Sequence, residues 1–278
     1  MKKSVIFLFA LITAFSLQSQ AQGRLLKKVQ ELVMPDGDGS NGAGVAFDPV
    51  AKRYYAAFAG NSSYPLAVFD LKGKRLSDDY LETQADVRGL WYNPVTKKIC
   101  GNSYDEGGWF YYVNDKAGMP STMKISREGL NQPGAQSVGV YDAKNKKILF
   151  LQNETLEVYS EKDATNTATI ALHVGMANAK EEKNAKDNAD GGDDAPSSKF
   201  TDKYNTTTAI YTGLPGKEIG LLNVYDKKVE LYNILTGYKT QELQLPEEAQ
   251  VYQSFNFAYS NGIFWFFDKD MRTWVGYK

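Results

Sequence analysis

Hydrophobic and polar positions along the chain follow a repeated order. Residues 44–53 contain a short apolar stretch, an aromatic residue, an Asp-Pro turn and a basic pair, and the same order returns 45 positions later at residues 89–98. A third copy, with Ala in place of Pro, lies at residues 138–147. Because Asp, Asn and Pro set turn geometry between apolar runs, each copy predicts a strand, a tight turn and a second strand.

Two weaker copies complete the series, at residues 209–218 and 257–262. A third strand is predicted after each of the five hairpins, at residues 66–70, 109–113, 156–159, 229–233 and 273–277. Antiparallel units of about 40 to 50 residues that repeat in this way are the blades of a β-propeller. The sequence therefore predicts an all-β fold, a five-bladed β-propeller rather than a six-bladed one, because no strand-like run is left for a sixth blade.

The N-terminal part of the chain predicts how the ring closes. Residues 25–34 read as a strand that belongs to no unit, whereas the last unit ends after its third strand. We expect the N-terminal strand to join the last blade as its outer strand, so that the two ends of the chain close the ring.

One polar segment interrupts the spacing between the third and fourth units. Residues 176–199 contain no Val, Ile, Leu, Phe, Tyr or Trp and so cannot bury a face. We therefore predict a single propeller domain at residues 22–278 with a polar insertion at about residues 175–205. The insertion can be a solvated loop or a flap over a binding face.

The first residues have the features of an export signal. Lys2 and Lys3 precede a largely apolar stretch at residues 5–15, and small residues follow at positions 19 and 21. This order predicts a signal peptide at residues 1–21, and its style resembles the signals of Gram-negative bacteria. We expect an exported protein in the periplasm or outside the cell.

The same segment argues against a membrane anchor. The apolar stretch is shorter than the run of about 20 residues that a membrane-spanning helix needs. The only cysteine, Cys100, lies far from the cleavage position, which argues against a lipoprotein. No transmembrane anchor is expected.

Composition narrows the classes of function. The chain has 32 Lys and Arg against 33 Asp and Glu, a formal net charge of -1, which argues against a nucleic-acid partner. One His and one Cys exclude a zinc site built from several such ligands. The single histidine, His173, gives little basis for a Ser-His-Asp mechanism, so no catalytic residue is assigned.

The aromatic-Asp-Pro turn followed by a basic residue resembles the propeller superfamily of NHL, YVTN and gluconolactonase-like proteins. The two clearest instances are Phe47-Asp48-Pro49 and Tyr92-Asn93-Pro94. The resemblance covers nearly the whole chain after the signal and concerns architecture. For gluconolactonase-like proteins it implies a divalent metal in the central channel, held by carboxylate and Asn ligands. This chain departs from that set of metal ligands, because Asp86 is the one acidic residue at the starts of its innermost strands.

Propeller topology, as the resemblance implies it, collects the loops before the innermost strands and the loops between second and third strands at one end of the ring. We predict the ligand-binding face there. The candidate residues are Asp36, Asp38, Tyr64, Arg88, Tyr104, Asp105, Glu106, Gln253 and Asn256. Asp36 and Asp38 are also the candidate ligands for Ca²⁺ or Mg²⁺, although a flexible turn explains the same residues.

These observations favour a binding or scaffolding module with a protein or glycan partner. The alternative is a metal-dependent lactonase-like or glycan-active hydrolase, using Ca²⁺ or Mg²⁺ at the channel mouth. No cofactor is firmly implied.

Overall fold

The computed structural model describes residues 23–183 and 198–278 and shows five sheets arranged around a central axis. The predicted signal peptide and residues 184–197 of the predicted insertion lie outside the described residues. Two strands, β1 (Arg24–Leu25) and β2 (Lys28–Val33), come before the first blade. Within the described residues, no helix is long and apolar enough to cross a membrane.

Each blade is an antiparallel meander that starts at the axis. Blade 1 contains β3 (Asn41–Asp48), β4 (Arg53–Ala59) and β5 (Leu66–Phe69), and blade 2 contains β6 (Val87–Asn93), β7 (Lys98–Ser103), β8 (Trp109–Asn114) and β9 (Pro120–Arg127). Blade 3 contains β10 (Gly139–Asp142), β11 (Lys147–Gln152), β12 (Thr155–Ser160) and β13 (Asn166–Ala171). Blade 4 contains β14 (Tyr204–Tyr211), β15 (Ile219–Asn223), β16 (Lys228–Tyr232) and β17 (Lys239–Gln244). Blade 5 contains β18 (Phe257–Ser260), β19 (Ile263–Asp268) and β20 (Thr273–Tyr277). The prediction of a five-bladed propeller is confirmed.

The core is divided among the blade interfaces. Each of five buried apolar clusters lies between two neighbouring blades. The cluster between blades 5 and 1 is rich in aromatic rings, such as those of Trp265, Trp274 and Phe58. The strands are buried on both faces because each blade packs against two others, which is why their sequences read as nearly continuous apolar runs.

The N-terminal strand closes the ring as predicted. β2 pairs antiparallel with β20, and Leu32 lies opposite Trp274 with both side chains fully buried. The preceding strand β1 differs from the prediction, because it pairs in parallel with β17 of blade 4. Leu26, which lies between β1 and β2, is buried in the apolar cluster between blades 4 and 5. The N-terminal segment therefore packs against both blades.

Blade 1 lacks a regular fourth strand. Residues 75–82 run beside β5 and form two isolated bridges, Phe69 with Arg75 and Pro65 with Glu82. The segment contains Ser77 and Asp78, whose side chains bind nearby backbone N–H groups. Such local hydrogen bonds compete with a strand ladder, which explains the irregular edge.

Part of the predicted insertion packs on blade 4. A short helix at Ser198–Lys203 leads into β14, and the Phe200 ring stacks on Tyr204 at 5.2 Å. Glu230, only 3% exposed, accepts hydrogen bonds from the hydroxyls of Tyr204 and Tyr232. Tyr232 in turn accepts the backbone N–H of Gly175 at 3.0 Å, so both sides of the segment are attached to one blade.

Candidate functional site

One aromatic side chain stands near the end of each innermost strand, at the same place in the repeat. The five are Phe47, Tyr92, Tyr141, Tyr211 and Tyr259. All five line a cavity of about 280 Å³ that follows the axis of the ring. Turn residues Pro49, Ala143 and Asn261 also line this cavity, so it opens where first and second strands are joined. We call these five residues the aromatic mouth, this end of the ring the hairpin face, and the opposite end the loop face.

Small residues farther along the innermost strands leave room for the cavity. Its wall includes Ala43, Gly44, Gly89, Gly139 and Ala258. Gly89 also lies so close to blade 3 that a Cβ there would be 2.3 Å from the carbonyl oxygen of Gly139. The repeated order of small residues followed by an aromatic residue therefore produces a channel that ends in the aromatic mouth.

The phenol groups at the mouth are held neutral. The Tyr141 hydroxyl donates to Oε2 of Glu161 at 2.7 Å, and burial together with this carboxylate raises the pKa of Tyr141. Burial, followed by the carboxylate of Asp142, raises the pKa of Tyr211. Raised pKa values keep these hydroxyls protonated at ordinary pH, so the mouth offers apolar ring faces with neutral hydrogen-bonding groups beside them.

A buried arginine lies near the start of the innermost strand of blade 2, toward the loop face. The guanidinium of Arg88, which is 5% exposed, donates to both carboxylate oxygens of Asp86 and, from Nε, to Oε1 of Gln136 at 2.8 Å. Its Cζ lies 4.7 Å from the ring centre of Tyr104 and 5.6 Å from that of Phe255. We call this group the Arg88 clamp. Since most of its N–H donors are already used, it connects blades rather than presenting a free cation.

Buried amides hold the loops on the same side. Asn102 donates to Oε1 of Gln132 and to the carbonyl of Ser137, and it accepts the N–H of Gly139. Asn256, 1% exposed, accepts the N–H of Gly42 at 2.7 Å. A buried amide whose donors and acceptors are paired fixes the backbone beside it. These contacts attach the loops at the loop face to the innermost strands.

Comparison with known proteins supports the fold and goes no further. No family model and no curated protein matches the chain. Among solved structures, the glutaminyl cyclase of Myxococcus xanthus is similar at a TM-score of 0.54 and 10% identity, over 92% of this chain and 96% of that one. A nidogen/laminin complex aligns at a TM-score of 0.42 and 11% identity, over 74% of this chain and 65% of that one. At 10% identity, the likeness to the glutaminyl cyclase shows the β-propeller fold alone.

The structure brings only some of the predicted site residues together. Arg88 and Tyr104 are in contact within the clamp, and Asn256 is buried in a hydrogen-bonded turn. The acidic pair Asp105 and Glu106 is exposed in a single turn of 3-10 helix directly after Tyr104. The other four occupy three loops: Asp36 and Asp38 are exposed before β3, Tyr64 is half-buried against the cluster between blades 5 and 1, and Gln253 is exposed before β18.

The predicted metal ligands do not fit a cation site in this structure. Asp36 and Asp38 are both exposed, and the described residues contain no group of three or more His, Cys, Asp or Glu side chains able to hold a metal. The Arg272 guanidinium donates to the carbonyl oxygens of Pro35, Asp38 and Gly39 in the same loop. A positive charge already uses the oxygens that a hard cation would need.

The aromatic mouth was not among the residues predicted from sequence. The signal was present, because an aromatic residue stands at the same position of the first three repeats and again at Tyr211 and Tyr259. Repetition alone does not distinguish an aromatic residue that packs between blades from one that also lines a cavity. The cavity along the axis of the ring, which only the structure shows, distinguishes these two cases.

Proposed function

We propose that the protein is an exported binding module that takes one sugar ring of a glycan, or one side chain of a protein partner, into the aromatic mouth. The single observation that carries the proposal is the aromatic residue that every blade contributes to the open end of the channel. Ligand sites are usually concave and mostly apolar, with a few polar groups that fix orientation. The mouth has these properties.

The size of the cavity favours a small group. Pockets that bury drug-sized ligands have volumes of about 300 to 1,000 Å³. The channel cavity, at about 280 Å³, is slightly below this range. We therefore expect the end of a larger ligand to enter, while the rest of that ligand lies across the hairpin face.

The experiment measures the thermal midpoint of the purified protein with neutral and acidic oligosaccharides and with short peptides. A ligand at about a hundred times its dissociation constant adds ~2.7 kcal/mol to stability. At about 2 to 4 °C per kcal/mol, the midpoint rises by roughly 5 to 11 °C. The peptides distinguish a protein partner from a glycan.

Matched variants connect a shift to the mouth. Tyr92→Ala and Tyr259→Ala each remove one ring of the mouth, whereas Tyr80→Ala removes a tyrosine that is 89% exposed elsewhere on the surface. We expect the ligand-induced rise to be lost in the first two variants and kept in the third. A rise that survives both mouth substitutions would place the ligand elsewhere and refute the proposal.

A further inference from the structure

Three turns on the hairpin face each end with a lysine in a left-handed backbone conformation. The φ angles are 55° at Lys52, 55° at Lys97 and 54° at Lys146. The three turns join β3 to β4, β6 to β7 and β10 to β11, so they occupy the same place in blades 1, 2 and 3. Left-handed backbone disfavours side chains with a Cβ and favours glycine or asparagine. Lys227 and Arg272 have the same conformation in turns at the loop face, so the three lysines are distinguished by their shared place beside the aromatic mouth.

These lysines are free to meet a ligand. All three side chains are exposed, and none makes a hydrogen bond or ion pair with another part of the chain that the structure describes. Pro49 and Ala143, in two of the same turns, line the channel cavity. The lysines thus lie in turns beside the aromatic mouth, and in blades 1 and 3 they are three residues from a residue of the cavity wall.

These three turns are rich in cationic residues, and one carboxylate outside them, that of Glu161, accepts hydrogen bonds from Asn93 and Tyr141. Residues 48–53, 93–98 and 142–147 contain seven cationic side chains against two carboxylates, a formal charge of +5, although the whole chain has a formal charge of -1. The two carboxylates, Asp48 and Asp142, are buried and accept backbone N–H groups of their own turns. They do not pair with the exposed lysines.

We propose that the ligand of the aromatic mouth is an acidic glycan whose carboxylates pair with Lys52, Lys97 and Lys146. This inference rests on the proposed function and adds the charge of the ligand. The ring faces and neutral phenols of the mouth suit sugar rings and their hydroxyl groups, and the lysines suit carboxylates that project from those rings. A glycan with an acidic group on successive sugars can reach lysines on neighbouring blades while one of its rings occupies the channel.

The test compares an oligogalacturonate with its methyl ester, which has the same rings without the charge. Calorimetric titration at about 50 mM and about 200 mM salt separates charge pairing from ring contacts, because salt screens exposed charges. We expect the acid to bind about three- to a hundred-fold more tightly than the ester at low salt, since each of the three exposed pairs contributes roughly 1.4- to 5-fold. The difference should shrink at the higher salt concentration.

The matched variants replace lysines that have a left-handed backbone conformation by glycine, which adopts the same conformation. Replacing Lys52, Lys97 and Lys146 together by glycine keeps a residue that accepts their φ angles, so folding is preserved. Lys227→Gly is the control, because Lys227 also has a left-handed backbone, with φ of 49°, but lies in the turn between β15 and β16 at the loop face. We expect the triple variant to lose the preference for the acid, and the control to bind it within about two-fold of the parent.

The outcomes separate this inference from the proposed function. Equal binding of acid and ester, abolished by Tyr92→Ala, would overturn the acidic ligand and leave the mouth as the site. Acid binding that persists in the Tyr92→Ala variant would mean adhesion of a polyanion to the surface and would overturn the inference. If neither oligosaccharide binds, the acidic-glycan inference falls, and the thermal measurements with the other oligosaccharides and the peptides decide whether the proposed function stands.

Discussion

Replacing Arg88 by methionine should weaken the fold and leave ligand binding at the opposite end intact. The substitution keeps an apolar stem of similar length and removes the guanidinium that binds Asp86 and Gln136. Breaking a buried ion pair costs about 3 to 5 kcal/mol when the remaining charge is fully buried. The side chain of Asp86 is 28% exposed, and in the variant it still accepts the N–H of Gly60. Solvation by water and this hydrogen bond therefore offset part of the cost. We expect a loss of about 2 to 4 kcal/mol.

Urea unfolding followed by tryptophan fluorescence measures this loss as a shift in midpoint at unchanged slope. The control is Arg75→Met, which breaks the pair with Asp79 on the surface, where the two side chains are 31% and 64% exposed. Exposed pairs contribute about 0 to 1 kcal/mol. Equal losses in the two variants would refute the Arg88 clamp as a structural element. A stable Arg88→Met variant that no longer binds its ligand would restore the loop face as the binding face.

Three further changes probe other parts of the account. Glu230→Ala should cost about 2 to 4 kcal/mol in urea unfolding, because it leaves two buried tyrosine hydroxyls without their acceptor, and a loss below about 1 kcal/mol would contradict this role. Burial and the nearby Glu161 carboxylate raise the pKa of Cys100 to about 12, so the thiol should react slowly with a disulfide reagent at about pH 8 until the protein is unfolded. Rapid labelling of the native protein at that pH would show that the thiolate is present. Gly89→Ala should cost roughly 1 to 3 kcal/mol through the contact with blade 3. Gly134→Ala, whose Cβ would meet only one atom within 4 Å, at 3.9 Å, should cost much less, and equal effects would contradict the close approach.

The blades could be predicted because their signals are local. The turn residues Asp48, Asn93 and Asp142 each accept backbone N–H groups two and three positions later, so the hairpin is determined within a few residues. Apolar runs of strand length between such turns leave little choice of structure. The closure of the ring was predictable for a similar reason, since one strand and one open blade edge remained.

The channel ends could not be predicted, because they depend on contacts between distant residues. Arg88 carries a full charge in the sequence and reads as a ligand-binding residue, yet Gln136, a residue 48 positions away, accepts its Nε–H in the structure. Two partners of the Asn256 side chain, Gly42 and Asn41, lie more than 200 positions away. Conversely, the mouth tyrosines read as core residues until the axial cavity is seen. The propeller topology that the resemblance implies led to the prediction of a binding site at the loop face, whereas the channel cavity opens at the hairpin face.

The most direct test of a binding site at the hairpin face is hydroxyl-radical footprinting with and without a saturating oligosaccharide. We predict protection of Tyr92, Tyr211 and Tyr259 at the mouth, and no change at Tyr104 or Tyr225 on the loop face. Protection of Tyr104 with unchanged reactivity at the three mouth tyrosines would contradict the account.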